Sequence, residues 1–258
     1  MNTGMQGKRV VVTAGAAGIG MAITQAFVAA GAQVHICDID QAALDRVRAA
    51  LPAVSQSRTD VSDRKAVDAM FDDLAIRWKT LDVLVNNAGV AGPTAKVEAI
   101  DQADWERTLA VCMTGMFLCT RRAMPMIKAG GGGSVVNLSS AAGRLGFPLR
   151  TPYAAAKFGV VGFTESLAIE AGPDNVRVNA ILPGVVAGER QDRVIAAKAA
   201  ALGISVEEQA TRLLSHVSMR KMVSAEDIAN MILFICSPAG ENISGQSLSV
   251  CGNVETLA

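Results

Sequence analysis

The 258-residue chain is short of several groups that proteins use for chemistry. It has one tyrosine, two tryptophans and two histidines. With so few histidines and no CxxC pair, the material for a zinc centre is poor and no metal is expected. The five cysteines, at positions 37, 112, 119, 236 and 251, are scattered. They read as small buried thiols in a reducing compartment rather than a disulfide framework. Formal net charge is zero, so no excess of basic charge argues for a nucleic acid or an anionic membrane surface as partner. Apolar runs such as Val10-Val11-Val12 and Val83-Leu84-Val85 fall far short of the roughly 20 residues of a membrane-spanning helix. The stretch from Met1 to Lys8 is polar and lacks a signal-peptide core. These absences leave a cytoplasmic protein as the expectation, with a small molecule as its partner.

Half of the residues are hydrophobic, enough for a full core. Short β-branched runs alternate with longer alanine-rich amphipathic stretches. Strands are predicted over 9–13, 33–37, 55–59, 83–86, 134–138, 176–181 and 247–250. Helices are predicted over 19–30, 41–50, 63–78, 102–129, 152–171, 190–216 and 225–236. Strands apolar on both faces and separated by helices predict an α/β protein. The expected architecture is a single-domain, doubly wound Rossmann fold spanning 1–258, with a seven-stranded parallel sheet and helices on both faces. No proline- or serine-rich linker breaks the rhythm, and Gly130 to Gly133 read as a flexible turn.

The first strand runs into Thr13-Ala14-Gly15-Ala16-Ala17-Gly18-Ile19-Gly20, where a helix opens. Glycines at such a turn let backbone approach a pyrophosphate lying at the positive end of the helix. Gly15, Ala17, Gly18 and Ile19 are therefore candidate dinucleotide contacts. Asp38, about 20 residues beyond at the end of the second strand, is placed to accept from the adenosine ribose hydroxyls and to repel a 2′-phosphate. Positions 14–20 and Ile39 beside it carry no Arg or Lys. NAD is thus the expected cofactor rather than NADP, the alternative for Asp38 being an ordinary solvated turn residue.

Tyr153 and Lys157 are four residues apart in a helical stretch and share a face. A phenol titrates near pH 10, and a neighbouring ammonium favours its ionised form. Ser140, just past the fifth strand, is placed to hydrogen-bond a substrate oxygen that Tyr153 protonates or deprotonates.

From Lys8 to Gly252 the chain resembles the short-chain dehydrogenase/reductase family. The resemblance is carried by the glycine turn, Asp60-Val61, Asn86-Asn87-Ala88-Gly89, Ser140 thirteen residues before Tyr153, Tyr153-x-x-x-Lys157, and Pro183-Gly184. It implies that Tyr153 is the acid/base, that Ser140 polarises the substrate oxygen, and that Lys157 lowers the tyrosine pKa and holds the nicotinamide ribose. It also implies that Asp60 and Val61 flank the adenine, and that Asn86, Asn87, Ala88 and Gly89 line the cofactor path. Pro183, Gly184 and Val186 are implied beside the nicotinamide. A homotetramer is implied, packed through helices such as 102–129 and 152–171, with a substrate lid at about 185–219.

The chain departs from the family pattern in three places. Ala14 stands where a glycine is usual, and a local adjustment with retained binding is expected. Gly188 replaces a threonine that touches the carboxamide, leaving that contact to backbone or to Glu189. Cys112 replaces an asparagine that supports a proton-relay water, and a thiol is a poor copy of an amide. A relay rebuilt around another water is expected.

Arg150, Glu189 and Arg190 fall near the reacting oxygen, and two arginines there suit a carboxylate. With the Gly-Glu-Arg opening of the lid, they resemble short-chain dehydrogenases of sugar-derived 2-keto-3-deoxy acids. The bland alternative is that both arginines are solvated. A 3-oxoacyl carrier or thioester reductase competes, but it would favour NADPH. A non-catalytic NAD-binding sensor or scaffold is the reading from another class, and the complete Ser140, Tyr153 and Lys157 set argues against it. Met113, Met116, Met124 and Met126 read as core and interface fillers, Arg121-Arg122 as a solvated helix face, and Trp78 and Trp105 as packing residues. His35 and His216 receive no role.

Overall fold

The computed structural model describes residues 3–257. Seven strands form one parallel sheet: β1 Arg9–Thr13, β2 Gln33–Asp38, β3 Ser55–Arg58, β4 Val83–Asn86, β5 Gly133–Leu138, β6 Val176–Pro183 and β7 Ser247–Val250. Their order is β3-β2-β1-β4-β5-β6-β7, so the winding reverses between β1 and β4. In such sheets the crevice at the carboxyl ends, beside that reversal, is where ligands bind. The sequence placed every strand, with β2 and β6 running one and two residues further than predicted.

The helices are α1 Gly18–Ala29, α2 Gln41–Ala50, α3 Arg64–Arg77, α4 Gln102–Leu109, α5 Gly115–Ala129, α6 Thr151–Ala171, α7 Glu189–Leu202, α8 Val206–Ser215 and α9 Ala225–Cys236. Alternate side chains of a strand point to opposite faces. Val10 and Val12 accordingly join a buried cluster with Ile23 and Phe27 of α1, Leu44 of α2 and Ile232 of α9. Val11 joins another on the far side, with Phe71 of α3, Cys119 of α5 and Ala171 of α6. All three valines are fully buried, and each contributes about 1.5–3 kcal/mol relative to exposure.

Two predicted helices are broken. The 102–129 stretch contains a π-helical turn, Ala110–Thr114, between α4 and α5. Such single-turn bulges occur frequently at functional sites, and this one holds Cys112. The 190–216 stretch divides where Gly203 takes a left-handed φ of 68° at the end of α7, and Ser205 then caps α8 by accepting from the Glu208 amide at 3.0 Å. The glycine run expected to be flexible is an ordered turn: Gly131 and Gly132 take positive φ, and Gly133 already begins β5. Trp78 is half-buried, whereas Trp105 is exposed and packs less than expected. Arg121 and Arg122 are ion-paired to Asp68, and Arg122 also to Asp72. Among the described residues no helix is long and apolar enough to cross a membrane.

Candidate active site

A cleft of about 670 Å³ opens at the carboxyl ends of the strands, lined from Ala14 on one side to Leu257 on the other. Its first wall is the turn between β1 and α1. Gly20 must be small, because a β-carbon there would meet the Ala14 carbonyl oxygen at 1.9 Å. Gly18 has φ +52°, and its missing side chain leaves open space. Ala17, at the N-cap of α1, provides no side-chain hydrogen bond. The first amides of α1 therefore remain available to an anion in the cleft. Asn87 ties this turn to β4, donating through Nδ2 to the carbonyls of Thr13 and Ala14, both at 3.0 Å.

Ala14 stands in the turn where a glycine was expected. It takes φ +49°, a left-handed conformation that a glycine would adopt freely and that strains a residue with a β-carbon.

Asp38 lines the cleft, accepting from the amides of Ala16 at 3.3 Å and Asp40 at 3.1 Å. Each oxygen keeps lone pairs for a ligand hydroxyl. Arg46 of α2 lines the same cleft, and sequence reasoning missed it by inspecting only 14–20 and 39 for cations. Its position on the second helix, eight residues past Asp38, was the available signal. Arg58 is paired in register with Asp38 and donates to the Ile39 carbonyl at 3.2 Å.

Of the other predicted cofactor residues, Ala17, Gly18, Ile19, Asn87, Gly89, Tyr153, Lys157, Pro183, Gly184 and Val186 line the cleft. Gly15, Ile39, Asp60, Val61 and Ala88 do not. Gly15 packs against Ile36, and Ile39 is exposed. Asp60 is engaged by Ser62 and Arg107, at 2.6 and 3.2 Å. Val61 belongs to the core, and Ala88 packs against that same cluster.

The middle of the cleft gathers Ser140, Tyr153 and Lys157. Ser140 follows β5, and its hydroxyl accepts from the Ala142 amide at 3.1 Å, which fixes its orientation. Pro152 opens α6 with φ pre-set for a helix. Lys157 is buried, with Nζ donating to the Leu138 carbonyl at 2.6 Å and lying 5.7 Å from the centre of the Tyr153 ring. Ser139 donates to the Lys157 carbonyl at 2.8 Å and pins the helix to the end of β5. Burial pushes the Tyr153 phenol upward, but the charges of Lys157 and Arg190 and a hydrogen bond with Ser140 outweigh it. The net result is a pKa below the usual value.

Cys112 keeps two partners in spite of lacking an amide. Its Sγ accepts from the Val90 amide at 3.3 Å, and its thiol donates to the Val90 carbonyl at 3.5 Å. A β-carbon at Gly89 would lie 3.6 Å from both Cys112 Sγ and Lys157 Nζ, so the π-turn adjoins Lys157.

At the substrate end, Arg190 donates to the Gly89 carbonyl at 3.2 Å. Glu189 is on the rim, its carboxylate facing solvent 3.7 Å from Arg193. Arg150 is not a solvated arginine. It is buried, and it lies 5.3 Å from the centre of the Tyr153 ring.

A family model described as enoyl-(acyl carrier protein) reductase matches residues 14–253. The chain belongs to the short-chain dehydrogenase/reductase family. It is 34% identical to a probable galactose dehydrogenase of Rhizobium meliloti, over 97% of this chain and 96% of that one. It is 35% identical to a cis-4-hydroxycyclohexanecarboxylate dehydrogenase of Sinomonas cyclohexanicum, over 94% of each. The solved structure of an NAD+-bound xylitol dehydrogenase superposes with a TM-score of 0.92 at 26% identity, covering 96% of this chain and 99% of that one. This family member is an oxidoreductase acting on an alcohol or ketone.

Proposed function

We propose that the protein is an NAD-dependent dehydrogenase interconverting a secondary alcohol and a ketone, with a small hydroxy acid as substrate, sugar-derived 2-keto-3-deoxy acids included. The observation that carries the reaction is Tyr153 held below its ordinary pKa beside Lys157, with Ser140 oriented next to it. The open helix start at Ala17–Gly18, the side-chain-free space at Gly18 and Asp38 lining the cleft fit NAD. The NAD+-bound xylitol dehydrogenase supports the same cofactor.

When bound, NAD supplies the hydride acceptor or donor. Tyr153 takes the hydroxyl proton in oxidation and returns it in reduction, a role that contributes about 10²–10⁴ in rate. Ser140 orients the reacting oxygen by hydrogen bonding. Lys157 favours the phenolate and, held by the Leu138 carbonyl, keeps a fixed distance from the ring. Arg150 and Arg190 supply positive charge for the acid group. The relative that acts on a hydroxycyclohexanecarboxylate supports an acid substrate. The 3-oxoacyl carrier reductase draws support from the family model's description, but Asp38 opposes its usual NADPH. The exposed Phe117, Phe158 and Ile169 of α5 and α6 suit a homotetramer.

Oxidation of hydroxy acids and alcohols, followed at the NADH absorbance band, tests this reading. Tyr153→Phe is expected to lower kcat by at least about 10²-fold while NAD still binds. Undiminished turnover in that variant overturns the assignment. Tight NAD binding without turnover of any substrate points to the sensor.

A further inference from the structure

At the substrate end of the cleft two cations share one aromatic ring. Arg150 Cζ lies 5.1 Å from the centre of Phe147, and Lys198 Nζ lies 5.2 Å from it. Both side chains are buried, at 2% and 5% exposure. Arg150 lines the cleft and donates through one terminal nitrogen to the Ala91 carbonyl, yet its Nε has no acceptor. Lys198, on α7, donates to the Leu257 carbonyl at 3.1 Å. Phe147 and Leu257 both form the cleft wall, so Lys198 stands one layer behind it.

Among the described residues neither cation has a carboxylate partner. Taking a guanidinium and an ammonium out of water is costly, and setting like charges side by side adds to the cost. An anion bound beside the Arg150 guanidinium would offset both.

The part of this wall beside Phe147 is apolar. Ala141, Val185, Leu213 and Leu257 line it and belong to one buried cluster, against which Phe147 and Tyr153 pack. A polyhydroxylated body needs a hydrogen-bond partner for each hydroxyl it buries. Those four side chains offer none, the polar side chains Glu189, Arg190 and Gln191 stand on the α7 side of the cleft instead, and the Ser140 and Tyr153 hydroxyls serve the reacting oxygen.

Resting on the dehydrogenase reading above, we propose that Arg150, with Lys198 behind it, forms a carboxylate-binding site, and that the substrate is a small hydroxy acid with a largely apolar carbon skeleton. Arg150 is the direct ligand. Lys198 is a positioning residue that holds Phe147 and adds positive potential at the acid group. Sugar acids become the poorer substrates.

Two measurements test this on the purified full chain. The first is calorimetric binding of cyclohexanecarboxylate, which cannot react, to the protein with NADH present. The second is NAD-linked oxidation of cis-4-hydroxycyclohexanecarboxylate, cyclohexanol and gluconate. Cyclohexanecarboxylate is expected to bind, Lys198→Met to weaken it about tenfold, and Lys198→Arg to restore most of the loss. The same Lys198→Met change is expected to lower the preference for the cyclic hydroxy acid over cyclohexanol about tenfold. The assignment is overturned if cyclohexanecarboxylate does not bind, if Lys198→Met weakens acid and neutral alcohol alike, or if gluconate is oxidised in preference. Binding with the expected variant pattern but no turnover of any alcohol leaves the carboxylate site standing and overturns the dehydrogenase reading instead.

Discussion

The two ends of the cleft treat buried polar groups in opposite ways. At the cofactor end most side chains are partnered within the protein, Asn86 Oδ1 and the open amides of α1 excepted. Thr13 accepts from the amides of Asn87 and Ala88, at 2.9 and 3.0 Å, and Asp38 accepts from two backbone amides, while deeper in the sheet that carries this end His35 meets Ser55 and Ser57 at 2.9 and 3.1 Å. At the substrate end, Arg150 Nε has no acceptor, and both Arg150 and Lys198 lack a counter-charge among the described residues. A satisfied network rigidifies a scaffold, whereas a group left unpartnered is costly unless a ligand completes it. The first end is built to hold a shape, the second to receive a charge.

His35 offers the largest test of that contrast. It is fully buried between β1 and β3, and burial, helped by the Arg77 charge, lowers its pKa from 6.5 to about 4. The folded protein therefore keeps the ring neutral where the unfolded chain takes up a proton. The stability this contributes is complete above about pH 6.5 and is lost as pH falls from there toward about 4, by up to about 3 kcal/mol. Urea midpoints at pH 7 and pH 4.5 are expected to differ by more in the parent than in His35→Gln. Equal differences in the two proteins would mean that His35 is not held neutral.

A smaller effect tests how the cofactor end chooses its ligand. On the proposed reading Asp38 repels a 2′-phosphate, yet Arg46 lines the cleft with it and Arg58 is its neighbour on β3. Asp38→Ser removes the repulsion and leaves these cations in place. The NADP-over-NAD preference in kcat/KM is expected to rise by about 10–100-fold. An unchanged ratio would show that Asp38 does not meet the ribose.

The contrast also explains what could be read from the sequence. The cofactor end rests on short-range features: the glycine turn, the strand-end Asp38, and the four-residue spacing of Tyr153 and Lys157. Local rules reach these, and they reached the strand positions too. The substrate end is assembled across long separations, with Lys198 of α7 meeting Phe147 and the Leu257 carbonyl. No periodicity links those residues, so Lys198 carried no signal and Arg150 could as readily have been a surface group. The π-turn at Ala110–Thr114 was hidden for a different reason: its side chains keep helical spacing on both sides, and only the π-helical backbone of the turn itself marks the bulge. The break at Gly203 was legible in principle, since a glycine followed by Ser205 is an ordinary stop and restart of helices.

The smallest expected effect concerns Ala14, where the scaffold itself is strained. A left-handed backbone costs a residue with a β-carbon about 1–2 kcal/mol, and Ala14 sits at φ +49°. It is held there because its carbonyl accepts from Asn87 Nδ2 and the next amide, Gly15, donates to the Cys37 carbonyl at 3.1 Å. Replacing it by glycine relieves the strain but frees the unfolded chain, which offsets about 0.4–1 kcal/mol of the gain. Ala14→Gly is therefore expected to stabilise the protein by about 0.5–1 kcal/mol, a rise in Tm of about 1–4 °C for a chain of this size. Thermal unfolding of the two proteins measures it. A fall in Tm would mean that the left-handed turn costs the alanine less than the chain entropy glycine adds, and that the cofactor end holds its shape without stored strain.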